Sequence, residues 1–242
     1  MVESIRDRYG RWGLPELLER YPDLRVVPCA DDTLVLFGDL NFRAVGPKKV
    51  EVADTYSVEL CVPPDFPRRI PTARECGGRI PDDFHKLEGN FLCLGAEIEI
   101  RMKLAQSPTL LVFVERLVIP YLFGYSYYEK RGAMPFGELS HGRDGILECL
   151  ADMFRSPSAQ TADEFVRLAS LKKREANKES CPCRSGRRVG RCHNRIVNDF
   201  RKRLGRSWFR AEYSRLLKAL GSKATRRNGS HRGDRGAQKR RP

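Results

Sequence analysis

Two sets of residues in this 242-residue chain are of a kind and spacing that could do chemistry. The first is a histidine eight residues before a cysteine, in Phe84-His85-Lys86-Leu87-Glu88-Gly89-Asn90-Phe91-Leu92-Cys93-Leu94-Gly95. A thiol reacts as its thiolate, so a nucleophilic cysteine needs partial exposure and neighbours that favour the anion or orient the carbonyl it attacks. A short loop bent at Gly89 offers that setting. The competing reading makes Cys93, bordered by Phe91, Leu92 and Leu94, a packed hydrophobe. The second set is Cys181-Pro182-Cys183, eight intervening residues, then Cys192-His193. Three thiolates and one imidazole make a closed tetrahedral donor set suited to a structural Zn2+ ion, with no position left open for water. Ser185-Gly186 permits the turn between the halves. Unmetallated cysteines in a basic segment are the alternative.

Cys93 has to be positioned by what precedes and follows it. Leu14 to Arg20 reads as a short amphipathic helix ended by Tyr21-Pro22, because the residue before proline avoids helical angles. Leu24 to Val27, Thr33 through Ala44 and Val50 to Val62 read as strands joined by short turns, which implies an antiparallel meander. Pro63-Pro64-Asp65-Phe66-Pro67 and Arg68-Arg69-Ile70-Pro71 form a proline-punctuated loop that cannot be regular structure. After the cysteine, Ser107-Pro108 supplies an N-cap and first-turn proline for an apolar run from Thr109 to Phe123, in which Leu110, Leu111, Val114, Leu117 and Val118 recur at helical intervals. Pro120 is expected to bend or end that helix. The five aromatics between Tyr121 and Tyr128 read as core packing against the sheet, since no basic residues interleave them as on a stacking surface.

The order of strand, proline loop, glycine turn, His, Cys-Leu and helix resembles the ubiquitin-conjugating enzymes over roughly residues 14 to 130. On that resemblance Cys93 matches the thioester-forming cysteine, His85 the motif histidine, and Phe66-Pro67 with Ile70-Pro71 the proline loop. Family members usually carry Pro and Asn directly after the histidine, where this chain has Lys86 and Leu87, and its His-to-Cys interval is shorter by about two residues. Asn90 is either a substitute for that asparagine or ordinary turn chemistry. Divergent bacterial members commonly lack the asparagine, so the resemblance is to a bacterial ubiquitin-conjugating-like protein. The segment Gly137-Glu138-Leu139-Ser140-His141-Gly142 is similar to segments in bacterial relatives, which makes His141 a candidate second polar group near Cys93. Its alternative role is to cap a helix starting near Asp144. The Cys181, Cys183, Cys192, His193 constellation resembles the SEC-C motif, a zinc knuckle that contacts partners. Arg184 stands where that motif usually has glycine.

Charge divides unevenly. Residues 1–170 hold 21 Lys and Arg against 26 Asp and Glu, whereas residues 171–242 hold 24 against 5. The basic segment is expected to bind polyanions weakly and non-specifically, through counterion release. The charged start, Met1 to Tyr9, lacks the apolar core of a signal peptide, and the run Leu110 to Phe123 is too short to cross a bilayer, so no membrane partner is expected. Cysteines scattered outside the metal-ligand cluster point to a reducing cytoplasm. Asp144 to Phe154 and Ala162 to Lys173 read as helices, as do Ile196 to Leu204 and Ser207 to Leu220, the last stopped by Gly221.

The expected fold is therefore α+β: a ubiquitin-conjugating-like antiparallel meander with flanking helices at 1–155, and a helical connector at 156–178. A zinc knuckle with short helices follows at 179–221, then a disordered basic tail at 222–242. The resemblance implies an enzyme whose Cys93 accepts the C-terminal carboxyl of a ubiquitin-like protein from an activating enzyme and passes it to an amine, with His85 ordering the loop. For bacterial members the implied setting is antiviral defence. The alternative function is a non-catalytic adaptor that keeps the fold and docks on protein, ribosome or nucleic acid through the knuckle and tail.

Overall fold

The computed structural model describes residues 5–29, 31–135 and 142–229. The chain forms two compact units, Met1–Glu138 and Leu139–Pro242. The first is mixed helix and antiparallel sheet. Helices α1 (Ile5–Arg11) and α2 (Leu14–Arg20) lead into strands β1 (Leu24–Val27), β2 (Leu34–Val45), β3 (Glu51–Val62) and β4 (Thr72–Glu75), which pair in the order β1-β2-β3-β4. Period-two alternation along β2 and β3 turns Leu34, Leu36, Leu40, Phe42, Val58, Leu60 and Val62 to one face, where all are buried. Each such side chain contributes about 2 kcal/mol when removed from water.

That face is covered by the helix running from Leu110 to Arg131, made of α4 (Leu110–Phe113), a π turn (Val114–Val118) and α5 (Ile119–Arg131). Its start lies two residues beyond the expected cap: the Thr109 hydroxyl accepts from the Val112 N–H at 3.3 Å, whereas Ser107 and Pro108 precede the helix. Pro120 does not end it. The chain widens just ahead of the proline, where Ile119 N–H reaches back to the Val114 carbonyl, and the helix continues for eleven residues past Pro120. The helix thus reaches 22 residues, long and apolar enough by composition to cross a membrane, but 61% of its apolar window is buried inside the fold. Val114, Leu117, Val118, Leu122, Phe123 and Tyr125 form its core face. Of the five aromatics in the stretch, Phe123 and Tyr125 are core, Tyr121 and Tyr127 pack against it part-buried, and Tyr128 is exposed.

Three elements of this unit, α1, β4 and α3, have no counterpart in the sequence reading. The four residues of β4 follow Pro71 and end in Arg74 and Glu75, so they carry neither the length nor the apolar alternation of a strand. In α3 (Glu97–Leu104) the buried Ile98 and Ile100 are two apart, a strand-like spacing that hides the helix.

The second unit is helical: α6 (Gly142–Phe154), α7 (Ala162–Ser170), α8 (Lys173–Ala176), α9 (Asn194–Leu204) and α10 (Arg206–Gly229). This division differs from the expected boundary near residue 155. Helix α6 belongs to this unit because its Phe154 is fully buried against Phe165 of α7 (5.2 Å between ring centroids) and Phe200 of α9 (4.7 Å). The segment expected as a connector is core as well, with Phe165, Val166, Leu168 and Ala169 inaccessible. Two arginines close the C-terminus of α7, whose last carbonyls have no partner within the helix. Arg201 donates to the carbonyls of Leu168 (2.8 Å) and Ala169 (3.1 Å), and Arg206 to that of Ser170 (3.3 Å). Gly221 does not stop α10, which continues to Gly229. Residues 230–242 lie outside the described residues.

Candidate functional site

His85 and Cys93 face each other across a small hairpin. Cys93 N–H donates to the His85 carbonyl at 2.9 Å and Leu87 N–H to the Phe91 carbonyl at 2.7 Å, with Lys86 opposite Leu92. The bend is made by Gly89 (φ 76) and Asn90 (φ 61), two successive left-handed residues of the types that tolerate that conformation. Leu92 N–H donates to the Ala73 carbonyl at 2.8 Å, which docks the hairpin on β4. Arg74 of that strand lies 4.0 Å over the Phe91 ring. His85 itself is left-handed (φ 40), and its ring packs edge-on against Phe84 at 5.1 Å. Cys93 is half-buried with a free thiol. His141 lies outside the described residues.

The loop between β4 and the hairpin is held from three directions. The Glu75 carboxylate, 8% exposed, accepts the N–H groups of Gly77 (2.8 Å), Arg79 (3.4 Å) and Ile80 (3.3 Å). Arg79 forks onto Asp54 of β3 at 2.7 and 2.9 Å and onto Glu129 of α5 at 2.6 and 3.2 Å. The Arg79 hydrogen bonds hold the Asp54 carboxyl down to about 2, against the opposing effect of burial. Lys86 donates to the Ile80 carbonyl at 2.7 Å and pairs with Asp82 at 3.1 Å. Two tyrosines of α5 then reach across: Tyr121 OH donates to the Phe84 carbonyl at 2.9 Å, and Tyr125 OH to the Arg79 carbonyl at 2.8 Å.

Tyr121 is the site residue that the sequence reading misses. Its phenol pKa is pushed up by burial and next by the charge of Cys93, which places hydroxyl and thiol in the same electrostatic neighbourhood. The available signal is the stripe Tyr121, Tyr125, Tyr128 on one helical face, which reads equally as core. Two other thiols of the unit are held protonated. Burial, then Glu59, pushes Cys61 up to about 11, and burial with Glu59 and Glu75 raises Cys76.

No protein-family model, curated protein or solved structure matches the chain.

In the second unit the four spaced ligands meet. One donor atom from each of Cys181, Cys183, Cys192 and His193 lies within 4.8 Å of the others. Cys183 Sγ is 3.3 Å from Cys181 Sγ and 3.5 Å from Cys192 Sγ, and His193 Nδ1 is 3.1 and 3.2 Å from the sulfurs of Cys181 and Cys192. A tetrahedral zinc site with Zn–S of about 2.3 Å would have sulfurs about 3.8 Å apart, so the cluster needs only a slight expansion to hold an ion. The other imidazole nitrogen, Nε2, is 3.3 Å from the Arg155 carbonyl, and the ring packs on Phe165 at 5.0 Å. That contact leaves Nδ1 as the nitrogen that would face an ion, the role outer-shell carbonyls commonly impose. Arg184 has a left-handed backbone (φ 60), and Gly186 (φ 72) turns the chain back.

Proposed function

We propose that the first unit is a ubiquitin-conjugating-like acyl carrier and that the second holds a structural Zn2+ ion. The reading rests on one observation: a half-buried free thiol, Cys93, lies at the end of a hairpin built onto the last strand of an antiparallel meander, braced by a helix that follows it in sequence. In this reading Cys93, as thiolate, attacks the thioester carbonyl of an activated ubiquitin-like protein. The activating enzyme's thiolate leaves, and an amine later displaces Cys93 to form an amide. His85 and Tyr121 order the hairpin rather than carry the proton. The Cys3His donor set supports zinc because three soft thiolates and one imidazole in a closed arrangement suit that ion and leave no coordination position for catalysis.

The test is incubation with the cognate activating enzyme, ATP and ubiquitin-like protein. An adduct cleaved by thiol reductants is expected, converted to a reductant-resistant ester or abolished by Cys93→Ser and unaffected by Cys61→Ser. A folded protein that forms no adduct, or forms the same one without Cys93, supports the adaptor reading, which Lys86 and Leu87 in place of Pro-Asn favour. Elemental analysis of protein purified without a metal-affinity step should find one zinc per chain, lost in Cys181→Ser.

A further inference from the structure

We propose that the metal-ligand loop of the second unit is an arginine platform for the phosphate backbone of a nucleic acid. Between Ser180 and Asn198 the chain carries Arg184, Arg187, Arg188, Arg191 and Arg195, with no acidic residue and no lysine. All five are exposed. The unit's ion pairs among the described residues involve other arginines: Arg167 with Glu179, Arg203 with Asp199 and Arg215 with Glu212. These five guanidinium groups are therefore available to an external anion.

The loop geometry gathers them. Arg184 follows Cys183, Arg191 precedes Cys192, and Arg195 is two residues past His193. Cys181 N–H donates to the Arg187 carbonyl at 2.9 Å, and Ser180 bridges Arg188, which returns both arginines to the side of the first ligand. Each arginine thus lies within about two residue steps of a ligand residue or is paired with one that does, and a step spans about 3.8 Å. The ligand atoms themselves converge within 4.8 Å.

The choice of arginine points to phosphate. A guanidinium presents a planar fork that fits phosphate oxygens in pairs and is weakly hydrated, which a lysine is not. A bilayer is disfavoured as the source of phosphate because the loop offers no apolar anchor: among the described residues of this unit, Leu217 of α10 is the one large hydrophobic exposed. No exposed aromatic accompanies the arginines, so bases are not stacked and the surface is blind to sequence. Five phosphate contacts correspond to a slope of log K against log salt of about −4.5 on duplex and about −3.5 on single strands.

This site is distinct from the basic residues past 229, and charge-matched variants of the full chain separate the two. One replaces the five loop arginines with Gln; the other replaces Arg232, Arg235, Lys239, Arg240 and Arg241 with Gln. Anisotropy of labelled random-sequence duplex and single-stranded probes is followed over a salt series, with melting profiles as the folding control. The loop variant is expected to flatten the slope by about four and to weaken binding at least tenfold at moderate salt. The second variant should cost less. Equal losses, a greater loss in the second variant, or displacement of the probe by anionic vesicles at matched phosphate overturns the proposal. Should the glutamine loop variant fail to fold, the five Arg→Lys version keeps the charge and removes the forks. It should bind severalfold more weakly with the slope unchanged, and undiminished binding overturns the proposal equally.

Discussion

Cys93 and His85 are linked through the backbone, so anything that shifts the carbonyl side of His85 moves the thiol. Tyr121 acts one residue upstream, on the Phe84 carbonyl, and its ring packs edge-on against Phe84 at 6.2 Å. Replacing Tyr121 with Phe keeps the ring and removes that one bond. The expected cost is about 1 kcal/mol of stability in thermal melts, with faster amide exchange confined to residues 84–93. A loss spread over the whole unit would mean that the hydroxyl serves the core rather than the hairpin. Cys93 and the four candidate metal donors were legible as candidates because residue type and short-range spacing carry them. Tyr121 was not: its partner is set by tertiary packing, and a tyrosine on an apolar helix face looks like any other core aromatic.

At the level of elements, the loop from β4 to the hairpin is clasped between β3 and α5 by Arg79, whose carboxylate partners are Asp54 and Glu129. Asp54 has its folded-state pKa depressed to about 2, below the unfolded aspartate value of about 4. Its contribution is therefore fully present above the unfolded value and is lost as pH falls through the folded one. Denaturant titrations between pH 5 and 2 should show the first unit losing stability over that window, and Asp54→Asn should weaken the protein at pH 7 while flattening the acid dependence. An unaltered acid limb in the variant would assign the effect to other carboxylates. Strands β2 and β3 were readable from alternation, and the short β1 from its apolar residues and the turn that follows it. Strand β4 and helix α3 were not, since a four-residue strand ending in two charged residues and a helix with buried isoleucines two apart both contradict the local pattern that would announce them.

At the scale of the whole molecule, the chain is two bodies with separate cores, and the candidate metal donors belong to only one. Chelation is expected to lower the melting temperature of the second unit and to loosen residues 177–197, leaving the hydrogen-exchange protection of the sheet unchanged. Loss of sheet protection on chelation would contradict that independence. The four candidate donors meet as their spacing implies, and the unit that contains them reaches back to α6 and α7, which the sequence reading set apart because nothing local to those helices reveals that Phe165 packs on the histidine and Phe154 on Phe165. His193 leans on the Arg155 carbonyl and on the Phe165 ring, both well upstream of the first cysteine, while Arg201 and Arg206 close α7 from the other side. The portable module is consequently longer than its motif: grafted onto a carrier protein, residues 139–229 should fold and retain metal, whereas 179–221 should come away with its ligands and without the wall they rest on.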